Sequence, residues 1–172
     1  TFLGPRFLKL LYKGMFEDAE GVLLVAEIQG QLIGFVGGVG SQTGFYRRLV
    51  QKHLLAFGWA ASSALLHRPQ IASRLWRALY RSSDSAETAA DACLMSIAVA
   101  RSVEGRGVGR LLVEAFSNEL RSRNITSYCL TTDRDQNERA NCFYQSLGFT
   151  LASTYTTPEG RAMNEYVIFL EN

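Results

Sequence analysis

Three glycines stand at every second position of VEGRGVGRLL, Val103–Leu112: Gly105, Gly107 and Gly109. Glycine costs a helix about 1 kcal/mol relative to alanine and fills no core volume. Three together mark a place where the backbone turns sharply or something approaches it closely. The stretch follows an apolar run, Ala92–Ala100 (ACLMSIAVA), and precedes apolar residues at helical spacing. A glycine-rich turn from strand to helix aims several N–H groups into one concavity, and the helix adds its unpaired first amides and the positive end of its dipole. Such a cradle suits a phosphate or pyrophosphate, with Arg106 and Arg110 adding charge at its rim. A tight turn needed only for chain reversal is the other reading. Two familiar phosphate motifs do not fit. GxGxxG needs glycine where Arg110 or Leu112 stands, and a P-loop needs Lys-Ser/Thr where Arg110-Leu111 stands.

A second stretch decides between these readings. SIAVARSVEGRGVGRLLVEAF resembles the central motif of the GCN5-related N-acetyltransferase (GNAT) superfamily, an apolar strand ending in Ala-Val that runs into Gln/Arg-x-x-Gly-x-Gly/Ala at a helix start. Gly107 and Gly109 are in register, and Glu104 departs from the Gln or Arg of the first position. NERANCFYQSLGF matches the family's Asn-x-x-Ala-x-x-x-Tyr-x-x-x-Gly-Phe at Asn137, Ala140, Tyr144, Gly148 and Phe149. The resemblance covers Ala92–Leu170; the first two-fifths matches only in element order.

The resemblance implies acetyl-CoA as cofactor and direct attack by an amine on its thioester. It places the pantetheine arm against Ile97, Ala98 and Val99. The pyrophosphate falls on the amides of Gly105, Arg106, Gly107, Val108, Gly109 and Arg110, and Asn137 steadies the cofactor arm. An amine of pKa about 10 must lose a proton, the oxyanion needs a donor such as the Val99 N–H, and the departing thiolate needs a proton. Tyr144 is the candidate for that last proton; a core aromatic one turn from Gly148 is the plainer alternative. Several family members carry a Glu on the strand before the glycine turn, at the place of Cys93. Asp91, two residues earlier on the same side of a strand, is the candidate base, beside Glu27 on the hairpin and water-relayed deprotonation.

The elements that must position these groups are legible in the periodicities. Pro5–Asp18 has apolar residues at helical spacing with proline in the first turn. Gly21–Gly40 reads as two strands around Gln29-Gly30-Gln31, with a bulge or close neighbour at Gly37-Gly38. Ala92–Ala100 suits a strand buried on both faces. A helix over Val108–Ser122 and a strand over Ile125–Thr132 then form a right-handed crossover to a parallel neighbour. A helix closed by Gly148 and two strands around Thr157-Pro158-Glu159-Gly160 complete the chain. The fold class expected is α/β (α+β). Its sheet is mixed and mostly antiparallel, with a parallel pair at the cofactor cleft and helices on both faces.

With 172 residues, 47% hydrophobic and 20% charged, the chain suits one domain, 1–172, with a core of its own. No run of about 18 uncharged apolar residues spans a membrane, and the N-terminus lacks the pattern of a signal peptide. Three cysteines without a CxxC pair argue against a disulfide framework or zinc and for a cytoplasmic location. No metal is expected; His53 and His67 are read as surface or satisfied residues.

The net charge of +2 hides an asymmetry: Ser41–Ser83 holds no Asp or Glu against seven Lys and Arg. About 45–81 is read as a basic helical insertion. It is a solvated face packed on the sheet, a lid that recruits an anionic acceptor such as an amino-sugar conjugate, or a membrane-surface or partner helix. A small-molecule amine is the expected substrate. A homodimer is possible, and nucleic acid is not expected. The alternatives are an acyl-CoA-binding or regulatory domain without robust transferase activity, and a protein or peptide N-acetyltransferase.

Overall fold

The apolar stripe near the N-terminus forms helix α1 (Gly4–Glu17), which buries Met15. The protein is seen as a computed structural model, and the residues described are 4–52, 90 and 92–171. Strands β1 (Gly21–Ile28) and β2 (Gln31–Val39) pair antiparallel. Gln29 and Gly30, at φ 51° and 77°, supply the two left-handed positions that a tight hairpin turn requires. Helix α2 (Phe45–Lys52) follows.

Beyond it come β3 (Ala92–Val99), a 3₁₀ turn (Arg101–Val103), helix α3 (Val108–Ser122) and β4 (Ser127–Asp133). Helix α4 (Glu138–Ser146) and the antiparallel pair β5 (Thr150–Thr156) and β6 (Ala162–Phe169) end the fold. The helix expected at Val108–Ser122 has those bounds, while β4 starts two residues later than the sequence suggests. Leu120 accounts for the delay: its carbonyl accepts the N–H of both Arg123 and Ile125, which holds the chain in a turn there.

The six strands lie in the order β1-β2-β3-β4-β6-β5, antiparallel except for β3 and β4. One face of the sheet buries Val36, Leu94, Leu112, Phe116, Tyr128 and Tyr166 beneath α3 and α4. The other buries Val39, Cys93, Cys129 and Val167 beneath Met15 of α1 and Phe45 and Leu49 of α2. The expected mixed sheet with helices on both faces is thus present. Truncating a residue such as Phe116, fully buried here, costs about 3–5 kcal/mol in comparable cores.

The bulge expected at Gly37-Gly38 is there. Gly37 pairs with Ser96 and Gly38 with Leu94, leaving Met95 as the extra residue. A Cβ on Gly38 would run into the Cys93 carbonyl and come 2.7 Å from Phe116 Cζ, so the strand tolerates only glycine there. Of the basic segment, α2 is described; residues 53–81, with His53 and His67, lie outside the described residues, as does Asp91. No described helix is long and apolar enough to cross a membrane.

Candidate active site

The parallel pairing of β3 with β4 is two residues long: Ala92 with Tyr128 and Cys93 with Cys129. Past that point β3 stays with β2 as far as Val99, and β4 stays with β6 as far as Asp133. Each strand is claimed by its other neighbour, so the two diverge and leave a wedge between them. The Ala100 N–H donates to the Ile33 carbonyl at 2.8 Å. Backbone groups alternate sides along a strand, so Ala98 faces β2 while Ile97 and Val99 turn their N–H and C=O into the wedge. Ile97 and Val99 are half-buried and Ala98 is exposed.

At the wide end of the wedge β3 runs into the glycine turn. Gly105 and Gly107 have φ of 76° and 82°, and a Cβ on either would meet nothing within 4 Å. Gly107 is the N-cap of α3, without a side-chain cap. The Arg106 N–H is spent on Val103. The amides of Gly105, Gly107, Val108, Gly109 and Arg110 find no acceptor among the described residues. Val108 buries its side chain and anchors the helix, while Arg106 and Arg110 are exposed. The result is a row of unpaired donors facing open space at the positive end of a 15-residue helix, which attracts an anion.

Gly109 has a different reason. A Cβ there would lie 3.3 Å from Phe143 Cζ and 3.9 Å from Val99 Cγ2. Phe143 of α4 therefore reaches α3 across the wedge, and the small residue admits it. Glu104, the residue that departs from the motif, pairs with Arg139 of α4 at 2.7 Å. The offsetting cation comes from the second motif rather than from Arg106.

Tyr144 lies on α4, 8% exposed, with its ring among Phe143, Phe149 and Tyr166. Its hydroxyl has no hydrogen-bond partner among the described residues, and burial raises its pKa above the ordinary tyrosine value. A protonated phenol that is not committed elsewhere is a ready proton donor. Asn137 is tied into the scaffold. Its Nδ2 donates to Thr132 Oγ1 at 2.7 Å and to the Asp133 carbonyl at 3.3 Å, joining the end of β4 to the start of α4.

Behind it is a buried network not anticipated from the sequence. Asn141 donates to the carbonyls of Asn137 and Asp133 at 2.8 and 3.0 Å. It accepts from Asn164 Nδ2 and the Tyr166 hydroxyl at 2.9 and 3.0 Å. An asparagine at an inward position of a strand, as in MNEYVIF, is the sequence signal by which it could have been found.

Cys93, the position where the resemblance implies a glutamate, lies on the α1 and α2 face. Its hydrogen bond to Cys129, its burial and the neighbouring charges raise its pKa far above that of a free thiol. It stays protonated. Gln42 Nε2 donates to Cys129 Sγ at 3.5 Å, and the Tyr12 hydroxyl meets Ser96 Oγ at 2.9 Å. Glu165 of β6, which sequence reading passed over, lies on this face and accepts from Ser153 Oγ at 2.8 Å. Glu27 is exposed on β1, separated from the wedge by β2. A cavity of about 250 Å³ lined by Met15, Phe16, Leu23, Glu119 and Arg123 also lies along β1, away from this chemistry.

The parts fit an elongated cofactor carrying phosphates: amides for the anion, free strand edges for amide groups along an arm, and an uncommitted phenol on the helix that flanks β4. Comparisons with known proteins agree. The sequence profile of the Acetyltransferase (GNAT) family matches residues 3–149. A phage protein described as 5-NmdU N-acetyltransferase, from Pseudomonas phage PaMx11, is 37% identical over 75 residues, 44% of this chain and 51% of its own. The chain thus spans about half the length of that curated relative. The fold is shared with the ribosomal-protein-S18-alanine N-acetyltransferase of Escherichia coli, at TM-score 0.56 and 16% identity over 95% of this chain and 77% of that one. It is shared too with an aminoglycoside 6'-N-acetyltransferase complexed with coenzyme A, at TM-score 0.57 and 14% identity over 98% and 82%. With both motifs in place around the wedge and the profile matched across most of its length, the chain belongs to the GNAT acetyltransferase family.

Proposed function

We propose that this chain transfers the acetyl group of acetyl-CoA directly to a primary amine of a small molecule. The observation that carries the reading is the wedge between β3 and β4, which leaves the backbone of Ile97 and Val99 unpaired ahead of the amide row. The amides of Gly105, Gly107, Val108, Gly109 and Arg110 hold the pyrophosphate; that of Arg106, expected to join them, is instead committed to Val103. Ile97, Ala98 and Val99 line the arm, and the Val99 N–H supports the negative charge that develops on the thioester oxygen. Tyr144 gives a proton to the leaving sulfur. Asn137 acts indirectly, by fixing the α4 end of the cleft.

Release of thiol from acetyl-CoA, measured over a panel of amines, tests the reading. The panel includes an amino sugar, a polyamine, a peptide N-terminus and the 5-NmdU named for the phage relative. Transfer to one of these that depends on Tyr144 supports it. Tight binding of acetyl-CoA without transfer to any amine overturns it. That result would favour the second reading, an acyl-CoA-binding or regulatory domain, for which Glu104 and Cys93 speak. Acylation of a peptide alone would make the chain a protein N-acetyltransferase. A cytoplasmic location, a homodimer and the lid, packing or membrane-surface role of the basic insertion at about 45–81 stand as proposals beside it.

A further inference from the structure

Acetyl transfer to an ammonium needs a proton acceptor, and Cys93 is a buried, protonated thiol. The sheet itself indicates another group. Cys129 and Val167 point to the α1 and α2 face, and side chains alternate along a strand, so Thr131 and Glu165 share that face. Glu165 is cross-strand from Thr131 on β4 and from Ser153 on β5. Thr131 lies two residues past Cys129, where the β3–β4 pairing has ended. Glu165 is therefore level with the narrow end of the wedge, where the two strands begin to part, and one strand away from it. Ser153 fixes its carboxylate through the 2.8 Å bond to Oε2. Its charge reaches the titratable groups around it: it adds to the rise that the Cys129 bond and burial give Cys93 on β3 and that burial gives Tyr155 on β5, and it opposes the lowering of Cys129 on β4 by Cys93. Tyr144 packs on Tyr166, on the opposite face.

Resting on the acetyl-transfer reading, we propose that Glu165 receives the acceptor's ammonium on the α1 and α2 face of the wedge and takes the proton that frees the attacking nitrogen. The proton passes from the ammonium to the carboxylate and on to water. The nitrogen lone pair then forms the C–N bond to the thioester carbonyl carbon, and the C–S bond breaks. Tyr144 protonates the sulfur and regains a proton from solvent, while the new amide nitrogen releases its second proton to solvent. The net products are amide, free thiol and one proton more than the neutral amine would give. Donor and acceptor of protons thus stand on opposite faces of the sheet, and the thioester lies in the gap between them. A carboxylate in this place also selects cationic acceptors over neutral ones.

The test compares the full chain with Glu165→Gln, which retains an oxygen for Ser153. Acceptors are the best amine of a panel of benzylamine, spermidine, glucosamine, an alanyl peptide and 5-NmdU, together with hydroxylamine, a weakly basic nucleophile that needs no base. Glu165→Gln is expected to lose about 100-fold in kcat/KM for the basic amine, to lose little for hydroxylamine, and to keep the acetyl-CoA Kd. Wild-type rates with the basic amine, or equal losses with both nucleophiles, overturn the proposal. Should Glu165→Gln not fold, Glu165→Asp withdraws the carboxylate by one methylene. It is expected to lose about 10-fold for the basic amine alone, and equal losses again refute the assignment. If the wild-type chain acetylates no amine, acetyl transfer itself falls, a result distinct from a failure of Glu165.

Discussion

Glu104 and Arg139 meet at 2.7 Å. One ends the turn after β3 and the other opens the helix after β4, so the pair bridges the strands where they are furthest apart. Both side chains are substantially exposed, 48% and 79%, and an exposed ion pair contributes about 0–1 kcal/mol. Its meaning is local. It neutralises a carboxylate that would otherwise stand beside an anion-binding row of amides. Glu104→Gln is expected to leave the melting temperature nearly unchanged and the coenzyme A Kd unchanged or lower, by calorimetry. A several-fold weaker Kd would mean that the pyrophosphate is not held at this turn.

The glycines of the turn should separate into two classes. Gly105→Ala and Gly107→Ala force left-handed backbone on an L-residue at a cost of about 1–2 kcal/mol, although both have open space. Their loss is expected mainly in coenzyme A affinity, as the amides are re-aimed. Gly109 is helical, and an added Cβ presses Phe143 at 3.3 Å. Gly109→Ala is expected to be nearly neutral for stability, the gain in helix propensity of about 1 kcal/mol offsetting the displaced ring. Gly109→Val should be clearly destabilising. Thermal unfolding and coenzyme A titration on the same variants distinguish the classes.

Tyr144→Phe removes a hydroxyl that supports no hydrogen bond among the described residues. It is expected to leave stability and acetyl-CoA binding intact while lowering kcat by about 100-fold. Steady-state kinetics at saturating acetyl-CoA measure this. An unchanged kcat would make Tyr144 a core aromatic only.

Asn141→Leu should be the most damaging of these changes to stability. It removes the shared acceptor of the Asn164 amide and the Tyr166 hydroxyl, both buried, while the carbonyls of Asn137 and Asp133 each keep a second donor, the Asn141 N–H and Asn137 Nδ2. Each unsatisfied buried group costs about 1–3 kcal/mol. Urea unfolding is expected to show a loss of about one to two such units, and hydrogen exchange to show loosening where β4 meets α4.

Tyr128 sets an alkaline limit. Its phenol donates to or accepts from Ser117 at 2.8 Å, and burial raises its pKa to about 12. The folded state holds this proton more tightly than the unfolded one. The associated stability is complete below pH about 10 and is lost as pH rises through about 12. Tyr128→Phe should flatten the alkaline fall in unfolding free energy while lowering the plateau at neutral pH through the lost Ser117 bond.

Much of this was written along the chain. The α3 bounds, the hairpin turn at Gln29-Gly30 and the glycine cradle follow from local chemistry: apolar period, left-handed positions and helix-terminal donors all depend on neighbours in sequence. The second motif, from Asn137 to Phe149, identified the family for the same reason. At Asn137, expected against the cofactor arm, the fold ties Nδ2 to Thr132 and Asp133. A side chain's partners are chosen by what the fold brings near, and sequence alone does not rank them.

By itself, then, the sequence determined the elements, their order and the two motifs that face each other across a parallel pair. Only the tertiary structure decided how far that pair extends. Two residues of β3 are shared with β4 before each strand is drawn to its own antiparallel partner, and that competition opens the wedge. It also decided that Arg139, remote in sequence, balances Glu104, and that Glu165 shares a face with Cys93. Those are relations between strands and helices that meet only through register and packing, so no local pattern encodes them.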